Sequence, residues 1–215
     1  IFESVTDGKY YYPLIKYLVE FNLNNPFDPE INYLKIIPIP FSSLIFHALF
    51  FKIFSFYSFI ILEFISLIIL LSLFYNFYRF IFSRHTSLIL TLIILLSPII
   101  IKNTFLFEFQ YLKIFSTNFY DFRVPRPMIS NLFLFGFIFL ITKMYIKEFY
   151  SYKNFFLLGL ILGLSLSSFY YHFFLELIVL FLLIIIKFNK KIFNEIRVNI
   201  RYYLLAFFSF LLISI

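Results

Sequence analysis

From residue 41 onward the sequence is a succession of apolar runs, at about 41–56, 58–78, 87–101, 128–146, 154–171, 172–187 and 203–215. Most are 15–21 residues long, close to the roughly 20 residues that an α-helix needs to cross a bilayer. Lipid offers no water to unpaired backbone N–H and C=O groups, so runs of this kind are satisfied as helices. Composition agrees: 62% of the residues are hydrophobic and 13% charged, with a mean hydropathy of +0.95. Soluble domains run nearer 45–50% apolar and about 25% charged. The expected fold class is all-α, a multi-pass transmembrane helical bundle with juxtamembrane helices on its outer face, and the expected location is the plasma membrane. Residues 1–57 are expected to form an outer loop with interfacial helices, and residues 58–215 the bundle, with about six spans. The chain starts at Ile1 and stops at Ile215 inside an apolar run, so helices are expected to be missing at both ends.

The charges are read against that frame of spans. Ten basic residues against two acids lie in the connections 79–86, 143–153 and 187–202, which the positive-inside rule makes cytoplasmic. Alternation then puts residues 102–127 and the short Ser167–His172 turn outside. The net charge of +7 is spread as short clusters between apolar runs, so it is a topology signal and no nucleic-acid partner is expected. With no cysteine, disulfide frameworks, thiolate metal sites and cysteine nucleophiles are excluded.

Phe41–Phe56 decides the side of the first 40 residues. It follows the stiff Pro38-Ile39-Pro40 and carries Ser42, Ser43, His47 and Lys52, so it is read as an interfacial or re-entrant helix; if it spans instead, residues 1–40 are cytoplasmic. In residues 1–40 the turn chemistry of Asn24-Asn25-Pro26 and Asp28-Pro29 predicts loop, with one helix near Pro13–Phe21. Gly159, Gly163 and Ser167 recur every four residues, a small-residue stripe that lets another helix approach closely.

Ionisable groups in or beside apolar runs are functional candidates, because burying charge in lipid costs about 2.5–3.5 kcal/mol on insertion scales. Here they are Lys52, Glu63, His172 and Glu176, and the topology draws the polar candidates to the outer face; the alternative is that Glu63 and Glu176 snorkel or pair with a neighbouring helix. In Asp121-Phe122-Arg123-Val124-Pro125-Arg126-Pro127, two arginines on a stiff backbone form either a fork for phosphate or carboxylate or an interfacial anchor. In Thr6-Asp7-Gly8-Lys9-Tyr10-Tyr11-Tyr12-Pro13, Asp7 is a candidate general base and the aromatic rings from Tyr10 onward are candidates to hold a sugar; an ordinary Asp-Gly turn is the alternative.

An acid followed by Tyr in the first outer loop, then a helix, a turn and Tyr33-Leu34-Lys35-Ile36-Ile37-Pro38-Ile39-Pro40-Phe41-Ser42-Ser43-Leu44 leading into a juxtamembrane helix, resembles the N-terminal module of the GT-C superfamily of polytopic glycosyltransferases. The resemblance covers about residues 1–105. It implies transfer of a sugar from a polyprenyl-phosphate carrier to an acceptor at the outer membrane face, with Asp7 as the catalytic acid residue and Lys35 and His47 toward the lipid phosphate. The sequence departs from the family where Gly8 replaces the second member of the usual Asp-Glu pair, and where Glu108 alone is left to stand as a second acid beyond the 87–101 helix. A divalent metal is thus implied by the family without a clear ligand set here. With four glycines and no glycine-rich phosphate loop, no soluble nucleotide-sugar site is expected. The competing expectation is a transporter or flippase for a lipid-linked or small anionic solute, whose usual mark is helices broken by Gly or Pro near mid-membrane; only Ser97-Pro98 approaches that.

Overall fold

A computed structural model describes residues 5–24, 26, 40–113, 128–147, 151–187 and 190–214. The elements among them are helical: α1 Val5–Val19, α2 Phe41–Phe54, α3 Ser58–Tyr78, α4 Arg84–Lys102, α5 Met128–Lys147, α6 Tyr152–Ser168, α7 Tyr170–Lys187 and α8 Lys190–Ser214, with 3-10 turns at Ser55–Tyr57 and Phe105–Glu108. The chain divides into two compact units, Ile1–Leu132 and Phe133–Ile215.

In the first unit, α1 ends with Phe21 in the left-handed region at φ 56°. Its N–H donates to the Leu18 carbonyl at 3.0 Å and that of Asn22 to the Tyr17 carbonyl at 2.9 Å, which is a Schellman cap with Phe where glycine is usual. Leu14, Ile15 and Leu18 of α1 are buried with Leu44 and Ala48 of α2. Lys52 lies with its ammonium 4.3 Å from the centre of the Phe21 ring, a cation–π contact that ties the end of α1 to α2.

The apolar stretch Phe41–Tyr78 holds 38 residues and would be about 57 Å long as one straight helix. It bends at Ser55, whose φ of 53° and ψ of −136° stop α2. His47 and Phe59 would stand about 18 Å apart on a straight axis, yet their rings are 5.7 Å apart. Beyond the bend, α3 and α4 are joined at residues 79–83, where Ser83 caps α4 by accepting from the Thr86 N–H. Inside α4, Pro98 supplies no N–H to Ile94, and the Ser97 hydroxyl donates to that carbonyl at 2.7 Å instead.

The second unit is a run of antiparallel neighbours. Met144 of α5 clusters with Phe155 of α6, and Gly136 faces Ile161. Helix α6 turns into α7 at the single residue Phe169. Helix α8 lies parallel to α6: Tyr202 stacks on Phe155 at 5.3 Å, and Gly159 and Gly163 face Ala206 and Phe210. A Cβ on Gly159 would collide with the Ala206 carbonyl and the Ser209 hydroxyl, so the backbones touch there, and Ser209 donates across to the Phe156 carbonyl at 3.0 Å. The small-residue stripe thus takes α8 as its partner.

Burial is inverted relative to a water-soluble protein. Helix α3 buries Ser58 and Ser66 while Ile60 is 55% and Phe64 64% exposed. Helix α4 buries Ser87 and Thr91 and exposes Leu88, Ile89, Leu92, Ile93 and Leu96. Lipid gives apolar side chains no reason to leave the surface, so interfaces collect small and hydroxyl residues instead. Among the described residues three helical stretches are long and apolar enough to cross a bilayer, Phe41–Tyr78 (α2 and α3 taken together across the bend), Arg84–Lys102 and Ile129–Ile146; Tyr152–Ser168, Tyr170–Leu183 and Arg201–Ile213 are shorter apolar helices.

Three local expectations are corrected. The first helix begins at Val5 rather than near Pro13, so Asp7-Gly8 lies in its first turn, where an acid is favoured by the helix dipole, and Pro13 is internal. The basic segment 190–202, expected as loop, is the first half of α8; its lysines, arginines and glutamate are good helix formers. The outer turn expected over Ser167–His172 shrinks to Phe169.

Candidate functional site

Helix α2 is apolar on most of its surface, and three of its four polar side chains, Ser42, Ser43 and His47, are buried, whereas Lys52 is exposed. Their spacing puts Ser43 and His47 one turn apart on one face, and that face meets α1 and the start of α3 rather than solvent. Tyr12 of α1 stacks on Phe56 at 6.1 Å and meets Phe51 edge-on at 5.8 Å. Helix α1 is thereby pinned at the bend, and Asp7, five residues earlier, lies about 7.5 Å further along its axis.

Around this bend three buried polar atoms have no hydrogen-bond partner among the described residues: Nδ1 of His47, Oγ of Ser58 and Oε1 of Glu63. Ser58 opens α3 and is 1% exposed. Glu63 stands one turn beyond Phe59, the residue whose ring lies against His47. Leaving a buried polar group unpaired costs about 1–3 kcal/mol, and native chains keep few of them. Between them an imidazole, a hydroxyl and a carboxyl can donate and accept, and they bring no permanent positive charge. Such a set suits hydroxyl groups better than a bare phosphate.

The sequence candidates distribute as follows. Asp7 and Tyr10 lie in the first half of α1, which packs on α2, the helix that carries His47. Tyr11 packs against the α1–α2 core and Tyr12 against the bend, so these two members of the tyrosine row hold structure. Lys52 is engaged with Phe21. Lys35, Arg123 and Arg126 lie outside the described residues. His172 belongs to the second unit, in the first turn of α7, edge-on to Phe169 at 4.7 Å. Ser58 was not singled out from sequence; its only signal was a hydroxyl opening an apolar run five residues before an acid.

Glu176 does not snorkel. It is 0% exposed, its Oε1 accepts from the Ser165 hydroxyl at 2.8 Å, and its Oε2 is buried without a partner among the described residues. Ser165 was likewise missed, because its role depends on the α6–α7 hairpin. No group of three or more His, Asp or Glu side chains capable of holding a metal ion forms among the described residues. The chain matches no protein-family model, no curated protein and no solved structure, so the site is read from its own residues.

Proposed function

We propose that the protein is a multi-pass membrane glycosyltransferase of the GT-C kind, moving a sugar from a polyprenyl-phosphate carrier to an acceptor at the outer membrane face. The observation that supports this reading is the pinning of α1, the helix of Asp7, at a bend around which Nδ1 of His47, Oγ of Ser58 and Oε1 of Glu63 are buried without hydrogen-bond partners among the described residues. In this reading those groups bind sugar hydroxyls, and Tyr10, on α1, is assigned to the same substrate. Asp7 takes the proton of the acceptor hydroxyl as its oxygen bonds to the anomeric carbon. The bond from that carbon to the phosphate oxygen breaks, and the departing phosphate is neutralised by Lys35, Arg123 or Arg126. The sequence assignment of His172 to substrate binding concerns the second unit by itself.

The test is sugar transfer by the full-length protein in vitro from a polyprenyl-phosphate donor. Asp7→Asn should lower the rate about 10²–10⁴-fold, the usual loss of a general base, whereas Asp28→Asn, in the sequence Pro26-Phe27-Asp28-Pro29, should change it little. An active Asp7→Asn enzyme overturns the assignment, and equal losses from both variants mean that folding of the N-terminal segment is being measured. Transport of a lipid-linked or small anionic solute is the second reading, favoured by the enclosed carboxyl of Glu176 in an apolar helix.

A further inference from the structure

Glu176 poses a charge-balance problem that the proposed transferase chemistry does not use. Its carboxyl is fully enclosed, one oxygen held by the Ser165 hydroxyl at 2.8 Å and the other without a partner among the described residues. An ionised carboxylate there needs a counter-charge, since an unpaired buried charge either finds one or is neutralised. Lys143, Lys153 and Arg201, the basic residues of this unit whose side chains are described, lie toward the other end. On α6 the nearest is Lys153, twelve residues before Ser165 and about 18 Å along the axis. Lys143 of α5 and Arg201 of α8 lie at that same far end, beside Met144 and Tyr202, which cluster with Phe155. Toward the hairpin end, the titratable groups are His172, one turn before Glu176 on α7, and the phenols of Tyr170 and Tyr171. Hard divalent cations take six or more oxygens, and no group of three or more His, Asp or Glu side chains forms among the described residues.

We infer that Glu176 is a proton-binding site: a buried carboxyl, held through Oε1 by Ser165, that takes up a proton on Oε2 and releases it as the pH rises. Neutral, the group needs no counter-ion; ionised, it has the Ser165 hydroxyl as its one hydrogen-bond partner among the described residues. The two states differ by one proton, which gives this unit a reversible link to pH independent of any catalysis at Asp7.

The full-length protein in lipid nanodiscs, treated with a hydrophobic carbodiimide over a pH series, provides the test. The reagent adds to protonated carboxyls in apolar surroundings, and peptide mass spectrometry reads each acid separately, with Glu176→Gln as the blank. Labelling of Glu176 should be strong at low pH and fall about tenfold per unit above its midpoint, as for one titrating group; Ser165→Ala should move that midpoint while Ser167→Ala leaves it in place. Labelling that is absent at every pH, or constant across the series, overturns the proposal. Protection by Na⁺ or Mg²⁺ at fixed pH also overturns it, by making the site a metal-cation site. Because the wild-type chain carries the main measurement, a variant that fails to fold does not decide the outcome.

Discussion

The hydroxyl of Ser97 donates to the carbonyl of Ile94 at 2.7 Å, and in doing so replaces the backbone N–H that Pro98 lacks. In a helix this apolar the freed carbonyl has no water to turn to, and a neighbouring hydroxyl is one of the few remedies lipid permits. Ser97→Ala should therefore lower stability by about 1 kcal/mol in detergent unfolding. In the Pro98→Ala background, where the N–H is restored, the same change should cost close to nothing. Equal costs in both backgrounds would separate Ser97 from Pro98.

Ser55 holds a backbone conformation that glycine adopts freely and L side chains rarely do. Ser55→Gly should keep the bend and raise stability by about 0.5–1 kcal/mol. Ser55→Val, whose branched side chain tolerates positive φ least, should lower it by about 1–3 kcal/mol. Thermal unfolding of both variants checks the order; a Gly variant less stable than wild type would mean that the serine side chain supports the bend.

The glycines of the second unit should respond unequally to one methyl group. Gly159→Ala drives a Cβ into the Ala206 backbone and should cost at least about 1–3 kcal/mol. At Gly136 the nearest atom is Ile161 Cδ1 at 3.7 Å, so Gly136→Ala should be neutral or slightly stabilising, alanine being the better helix former. Similar losses at both positions would contradict the close α6–α8 approach.

The bend also bears on topology. On the proposed topology, in which α3 and α4 both cross the membrane and α2 stays at the interface, Asn24 and Asn103 are expected on the same, outer side. Single cysteines at the two positions, in a chain with none of its own, should both react with an impermeant maleimide on intact cells. Labelling of Asn103→Cys alone would mean that α2 spans and that Asp7 faces the cytoplasm.

What the sequence by itself determined is the class of the chain and the course of its helices. Apolar runs of bilayer length leave the backbone no alternative to helix, so α3, α4, α5, α6 and α7 lie within a few residues of the runs that predict them, and the glycine stripe already announced a close helix contact. Its partner was decided only by tertiary structure, because Gly159 and Gly163 specify closeness and not identity, and it is the register of Ala206, Ser209 and Phe210 that selects α8. The bend at Ser55 was equally illegible: serine carries no turn signal there, and its positive φ is imposed by the packing of α1 and α2 against Phe56 and Phe59. The same division holds for the buried polar atoms. His47, Glu63 and Glu176 could be named from sequence as ionisable groups in apolar runs, but whether each reaches water, finds a hydroxyl such as Ser165, or stays unpaired depends on residues far along the chain, and only the folded helices bring those together.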